Sequence, residues 1–169
     1  MNKISKFTSV LNNCTNLADI FIYYKRKFPK KHFLFKKEQN HWVGQSFEEV
    51  NHRVCKIISA FKSLGLKKSD RVFLLSSNRT EWVEFDLAIM SIGAICVPSF
   101  VTNNVEDNAF ICKDSNPSII ILENENIFKN NQEFLKNFDK EKIIIIDKSA
   151  LFLDYYQIIS QKKKQSKLL

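Results

Sequence analysis

Glycine is nearly missing from this chain: three residues in 169, at Gly44, Gly65 and Gly93. A loop that wraps a phosphate must bring consecutive backbone N–H groups close to it, and glycine permits that approach. Neither G-x-G-x-x-G nor G-x-x-x-x-G-K-[ST] occurs, which argues against a self-contained nucleotide-binding domain. Proline is as sparse, at Pro29, Pro98 and Pro117, which leaves no proline-rich linker. The four cysteines, Cys14, Cys55, Cys96 and Cys112, form no C-x-x-C pair and no Cys–His cluster of zinc-ligand spacing. They read as reduced, partly buried thiols. No apolar run approaches the ~20 residues of a membrane span. Residues 1–13 contain no apolar core of signal-peptide type. The chain therefore reads as soluble and cytoplasmic. Peripheral membrane contact is not expected either, because no basic amphipathic helix is evident.

What is present is basic charge, unevenly placed. Residues 1–47 hold nine Lys/Arg and two Asp/Glu; residues 48–161 hold thirteen and sixteen; residues 162–169 hold four lysines. The segment charges of +7, −3 and +4 make up the net +8. The expected core is mildly acidic, and the excess lies at the ends. A nucleic-acid binder places a basic stripe on a structured face, so the lysines read as solubilising and nucleic acid is not an expected partner.

Along the chain, residues 14–31 predict a short helix with Leu17, Ile20, Phe21 and Tyr24 on one face, followed by Pro29. Phe33–Phe35 and Trp42–Phe47 flank a polar stretch and predict a small hairpin. Ser46 to Gly65 is the clearest helix. Ser46 and Glu49 form a capping box, Val50, Val54, Ile57, Ile58, Phe61 and Leu64 form one face, and Gly65 closes it. Arg71–Ser76 reads as a strand buried on both faces. Asn78 and Glu81 predict a cap for a helix carrying Trp82, Phe85, Ile89 and Ile92, with Leu87, Ala88 and Ile95 widening its apolar face and Gly93 ending it. Ala94–Val97 reads as a strand stopped by Pro98. The unit then repeats: a helix capped by Asn103 and Glu106, a strand at Ile119–Leu122, a helix over 124–138 with Ile127, Phe128, Phe134, Leu135 and Phe138 inward, and a strand at Ile143–Ile146. Ala150–Ile159 is a further helix candidate. Alternating strands and helices define an α/β fold, a three-layer parallel sheet of about four strands with right-handed crossovers. The expected organisation is a flexible stretch 1–13, one subdomain over 14–160 and a basic tail 161–169.

Such sheets bind ligands at the carboxyl ends of their strands, which directs attention to the loops Ser76–Thr80, Pro98–Asn104, Glu123–Asn126 and Asp147–Ala150. Asp70 lies at the amino end and reads as a turn residue. Asn78, Arg79 and Glu81 lie at the correct end, but capping and helix-start charge explain them more simply than ligand contact. Trp82 reads as core, Thr102, Asn103 and Asn104 as a strand–helix turn, and His52 as a surface residue. No Ser/His/Asp, Cys/His or paired-carboxylate arrangement stands out, and no catalytic or metal-binding residue is assigned.

The ordered blocks WVGQSFEEV (42–50), LKKSDRV (66–72), SNRTEW (77–82), DLAIMSIGAICVPS (86–99), TNNVED (102–107) and DSNPSIII (114–121) resemble the amino-terminal part of the adenylate-forming acyl-CoA synthetases, and most of all bacterial long-chain fatty acid–CoA ligases. The resemblance covers about residues 15–147. It implies an incomplete first subdomain of the acyl-CoA synthetase fold. It marks Asn78, Arg79, Glu81, Trp82, Gly93, Pro98 and Thr102 as signature residues of structural character. Enzymes of that family use ATP and Mg²⁺ to convert a carboxylate to an acyl-adenylate, then pass the acyl group to CoA. Their phosphate loop, adenine- and ribose-binding segments and catalytic lid lie beyond the region matched, so no catalytic role carries over and no cofactor is expected to bind this chain alone. Two readings follow: an inactive fragment that needs the remainder of a synthetase, or a non-catalytic module that associates with an intact relative. A subdomain cut from a larger core should leave Ile119–Leu122 and Ile143–Ile146 partly uncovered.

Overall fold

The computed structural model describes residue 12 and residues 14–161. The expected flexible stretch 1–13 and basic tail 161–169 therefore fall almost wholly outside the described residues. The first helix, α1 (Leu17–Lys27), starts at Asn16, whose side chain accepts from the Ala18 and Asp19 N–H groups. Strands β1 (His32–Glu38) and β2 (His41–Ser46) form an antiparallel hairpin. Its two-residue turn has Gln39 and Asn40 both at positive φ, the geometry whose twist matches a tight hairpin. Helix α2 (Phe47–Ser63) begins at the expected capping box, in which Ser46 and Glu49 bond reciprocally. Val50, Val54, Ile57 and Phe61 are buried, and Ile58 and Leu64 pack at their margin.

Strand β3 (Arg71–Leu75), helix α3 (Thr80–Ile92), strand β4 (Ile95–Ser99), helix α4 (Val105–Ser115) and strand β5 (Ile119–Leu122) follow in alternation. Short helices α5 (Glu125–Asn130) and α6 (Gln132–Leu135) lead to strand β6 (Ile143–Ile145), and strand β7 (Leu153–Asp154) leads into helix α7 (Tyr155–Ser160). The sheet is parallel with order β4-β3-β5-β6-β7. Numbered within the sheet, this is the doubly wound order 2-1-3-4-5, whose switch point lies between β3 and β5.

Strand alternation divides the core. Val72, Leu74, Ile119, Ile121, Ile144 and Ile146 face α1, α2, α3 and α7. Phe73, Leu75, Ile120, Leu122, Ile143 and Ile145 face Cys112 of α4, Leu135 of α6 and Phe152. Successive side chains point to opposite faces of a strand, so helices on both sides bury every residue.

Several expectations change. Ile119–Leu122 and Ile143–Ile146 are not uncovered: all eight residues are at most 1 % exposed, because helices of this same chain cover both faces. The sheet has five strands, not about four, since the last helix candidate divides into β7 and α7. Pro98 does not stop its strand. The Ile95 N–H donates to Asp70 O across to β3, so by alternation Cys96 and Pro98 turn their backbone nitrogens to the open edge, where a missing N–H costs no ladder bond. Ile95 is 51 % exposed and does not widen the α3 core face. The single helix expected over 124–138 breaks at Asn131, and of its inward set only Leu135 is buried, with the other four partly covered. Two caps shift by one residue. Asn104, not Asn103, accepts from Asp107 N–H, while the Asn103 amide bonds Ser99 Oγ. Arg79, not Asn78, occupies the α3 cap position without a side-chain cap bond, because a guanidinium has only donors and cannot accept from the first-turn N–H groups. Leu17, placed on the α1 core face, is exposed, and Ala18 and Phe21 take that face.

Candidate functional site

The carboxyl ends of β3, β5 and β6 bring three loops together. Ser76 and Ser77 follow β3, Glu123 follows β5, and Asp147 lies two residues beyond β6. The Glu123 carboxylate accepts from Ser77 N–H at 2.6 Å and from Ser76 Oγ at 3.3 Å. It thus bridges the switch point, where a doubly wound sheet would receive a ligand. Burial opposes its charge, but the bonds from Ser77 outweigh burial and lower its pKa.

Arg79 ties the same end laterally. Its Nε donates to Glu81 Oε2 at 3.0 Å and its Nη1 to Asp147 Oδ1 at 2.9 Å. Glu81 also accepts from Thr80 Oγ1 at 3.2 Å. Burial would raise the Glu81 pKa, but the Arg79 bond reverses the balance and it is lowered. Burial likewise works against the Arg79 charge, and its two carboxylate partners more than offset it. Beyond β6, Ser149 Oγ donates to Glu125 Oε1 at 2.6 Å and Ser149 N–H to Asp154 Oδ2 at 3.0 Å. After β4, Ser99 Oγ donates to Asn108 Oδ1 at 2.7 Å, with both residues buried.

Of the signature residues, Arg79 and Glu81 meet in this network. Asn78 is exposed in the loop before them, and Trp82 is half-buried against the α1–α2–α3 side of the core. Gly93 ends α3 at φ 77° and a Cβ there would lie 3.1 Å from Lys68 Cγ. Pro98 lies on the open edge and Thr102 in an exposed turn. Asp70, as expected for a turn residue, accepts from Lys67 N–H, and His52 is exposed.

The sequence did not reveal a second polar cluster. Glu84, 1 % exposed, accepts from Tyr155 OH at 2.6 Å and Arg53 Nε at 2.8 Å, and Arg53 Nη2 also donates to Gln45 Oε1 at 2.7 Å. It joins α2, α3, α7 and β2. No local signal could have found it, since Arg53 and Tyr155 lie 31 and 71 residues from Glu84. In the first cluster the Ser76 and Ser149 hydroxyls donate to the carboxylates of Glu123 and Glu125. Among the described residues, no group of three His, Cys, Asp or Glu is disposed to hold a metal ion, and no helix is long and apolar enough to cross a membrane.

A five-stranded parallel sheet of this order, with a carboxyl end cross-linked by Glu123 and Arg79, defines a doubly wound α/β scaffold. Solved structures share it. A luciferase-like enzyme from the Zophobas morio mealworm superposes with a TM-score of 0.76 at 18 % identity, over 87 % of this chain and 35 % of that one. Coronafacic acid ligase from Pectobacterium brasiliense superposes with a TM-score of 0.74 at 23 % identity, over 90 % and 31 %. The AMP-binding enzyme family matches residues 23–168, and the chain belongs to that family. It is similar to long-chain-fatty-acid–CoA ligase FadD15 of Mycobacterium tuberculosis, 29 % identical over 84 residues, or 50 % of this chain and 14 % of that protein. It is also similar to long chain acyl-CoA synthetase 4 of Arabidopsis thaliana, 28 % identical over 141 residues, or 77 % and 21 %. The chain spans about a fifth or less of these two relatives' length and matches their amino-terminal portion.

The family's nucleotide does not fit the carboxyl end described here. Arg79 faces two carboxylates and Glu123 adds a third nearby. A triphosphate would meet net negative charge, with the Ser77 N–H already taken.

Proposed function

We propose that this chain is the amino-terminal portion of a long-chain fatty acid–CoA ligase and that it does not catalyse ligation by itself. The observation that carries this reading is the family match together with the small share of each relative that the chain spans. In the proposed whole enzyme, ATP and Mg²⁺ convert a fatty acid to its adenylate and CoA accepts the acyl group. This chain would supply scaffold, and the nucleotide, metal and CoA would bind elsewhere. Charge developing on a triphosphate needs preorganised donors or a metal, and the Ser76 hydroxyl, the Ser77 N–H and the Arg79 Nε and Nη1 groups here are already bonded to carboxylates. A cytoplasmic setting fits the four free cysteines.

The test is fatty-acid-dependent ATP–pyrophosphate exchange with the purified chain. No exchange above the acid-free blank is expected, and robust exchange overturns the reading. Restored exchange on adding the remainder of a related ligase as a second polypeptide would support it.

A second reading, a module that associates with an intact synthetase, draws on one surface. The β4 edge, the turn after it and α4 expose Ile95, Phe100, Val101, Val105 and Phe110. Exposed apolar residues along an unpaired edge favour association. Co-purification with a full-length relative supports this reading. A clean monomer with no recovered partner counts against it.

A further inference from the structure

The two edges of the parallel sheet differ. Strand β7 is two residues long, and Asp154 within it accepts from the Ser149 N–H. So short an edge offers little backbone to pair with. Strand β4 is five residues long and, among the described residues, pairs only with β3. The Ile95 N–H donates inward to Asp70 O, so by alternation the Cys96 N–H and the Cys96 and Pro98 carbonyls point outward. A row of unpaired backbone groups is a template for a further strand. Pro98 contributes an acceptor but no donor, which confines reciprocal pairing to Cys96.

The surface beside this edge is apolar. Ile95 is 51 %, Phe100 66 % and Phe110 70 % exposed, with Val101 and Val105 also open to solvent. Ile95 shares a strand face with Val97, which packs on the α4 side of the sheet, so the exposed strand residue and α4 lie on one face. Charge along this face changes sign from end to end. Toward the carboxyl end of β4, residues 96–112 hold Glu106 and Asp107 and no Lys or Arg. Toward the amino end, Lys67, Lys68, Arg71 and Lys113 outnumber Asp70 and Asp114. Lys68 adjoins Gly93 just before β4, and Arg71 Nε donates to Ser115 O at the end of α4 at 2.8 Å.

We propose that this face binds a second copy of the chain about a two-fold axis, with β4 antiparallel to β4 of the partner. The Cys96 N–H then donates to the carbonyl of Cys96 of the partner subunit and the reciprocal bond forms, joining two five-stranded sheets into one of ten strands. The two α4 helices lie antiparallel on the same side of that sheet and cover the Phe110 side chains between them. Half a turn about the axis brings the acidic end of one copy to the basic end of the other. The face is therefore complementary to itself, as a closed two-fold contact requires. This goes beyond association with an intact synthetase, because the occupant is the chain itself. The other exposed apolar group, Phe35 and Trp42 of the hairpin, lacks that match. Residues 25–37 hold seven Lys or Arg and no Asp or Glu, so two copies meeting there would repel.

The test is sedimentation equilibrium of the purified full chain at about 1 to 200 μM. A monomer–dimer equilibrium is expected, with a dissociation constant on the order of 10 μM and no larger species, because a two-fold contact closes on itself. Phe110→Glu should weaken dimerisation about tenfold or more. Lys113→Glu and Asp107→Lys should each weaken it about threefold or more, and the two together in one chain should restore most of the loss. Trp42→Ser, on the hairpin, should leave it unchanged. Circular dichroism checks that these exposed substitutions leave the fold intact. A monomer throughout the concentration range overturns the proposal. So do open-ended oligomers, a dimer indifferent to Phe110→Glu, a charge swap without recovery, or a dimer lost in Trp42→Ser.

Discussion

Replacing Arg53 by Met should destabilise the protein far more at neutral than at acidic pH. Glu84 is 1 % exposed and holds its charge against two donors, Arg53 Nε at 2.8 Å and Tyr155 OH at 2.6 Å. Removing the guanidinium leaves a carboxylate in a nearly dry site with one neutral donor. Breaking a buried pair in this way costs about 3–5 kcal/mol. The Arg53 side chain keeps 20 % exposure, so some solvent reaches the pair and the lower end, about 3 kcal/mol, applies. At about 2–4 °C per kcal/mol for a chain of this size, the melting midpoint should fall by about 6–12 °C.

The pH dependence has a definite sign. Burial pushes the Glu84 carboxyl above its ordinary 4.5, and the bonds from Tyr155 and Arg53 only partly counter it. Without Arg53 it rises further. The folded state then binds a proton that the unfolded chain has released, so stability falls as pH rises from about 4.5 through the folded value and recovers below it. Thermal melts of parent and variant, followed by circular dichroism at pH 4 and pH 7, measure the difference. A variant within about 2 °C of the parent at pH 7, or one with the same deficit at both pH values, would refute the argument. Arg53→Met combined with Glu84→Gln should lose this added pH dependence, because the unpaired Glu84 carboxyl is gone.

Three other outcomes are expected. Gly93→Ala places a Cβ at φ 77° and 3.1 Å from Lys68 Cγ, and should cost about 1–2 kcal/mol in urea unfolding. Pro98→Val restores an outward N–H on the open edge of β4, and should increase self-association in sedimentation velocity if proline blunts that edge. Cys55 is exposed, whereas burial pushes the Cys112 thiol up to about 11. In a native thiol titration at pH 8, Cys55 should therefore react fast and Cys112 only on unfolding.

Elements whose determinants are local were legible from residue order. The Ser46–Glu49 box, the four-residue rhythm from Val50 to Phe61, the alternation of strand and helix after Arg71 and the stops at Gly65 and Gly93 all act within a turn or two of backbone. The blocks from Trp42 to Ile121 identified the family for the same reason, since they preserve order. The loops at the strand ends were located, but their contents were not.

Those contents depended on which strands became neighbours. Glu123 meets Ser77 only because β5 lies beside β3, and Arg79 meets Asp147 only because β6 lies beyond β5. Burial of Glu84 needed α2 and α7 to close over α3. The one-residue shift at Asn103 arose where a competing bond to Ser99 drew its side chain away from the helix start. Ile119–Leu122 and Ile143–Ile146 were expected to be partly bare, yet α4, α6 and α7 cover them. Local order thus determined the elements, their caps and the family. Tertiary structure decided which polar groups are paired, which faces are dry and which sheet edge stays open, because each depends on contacts between residues far apart in the chain.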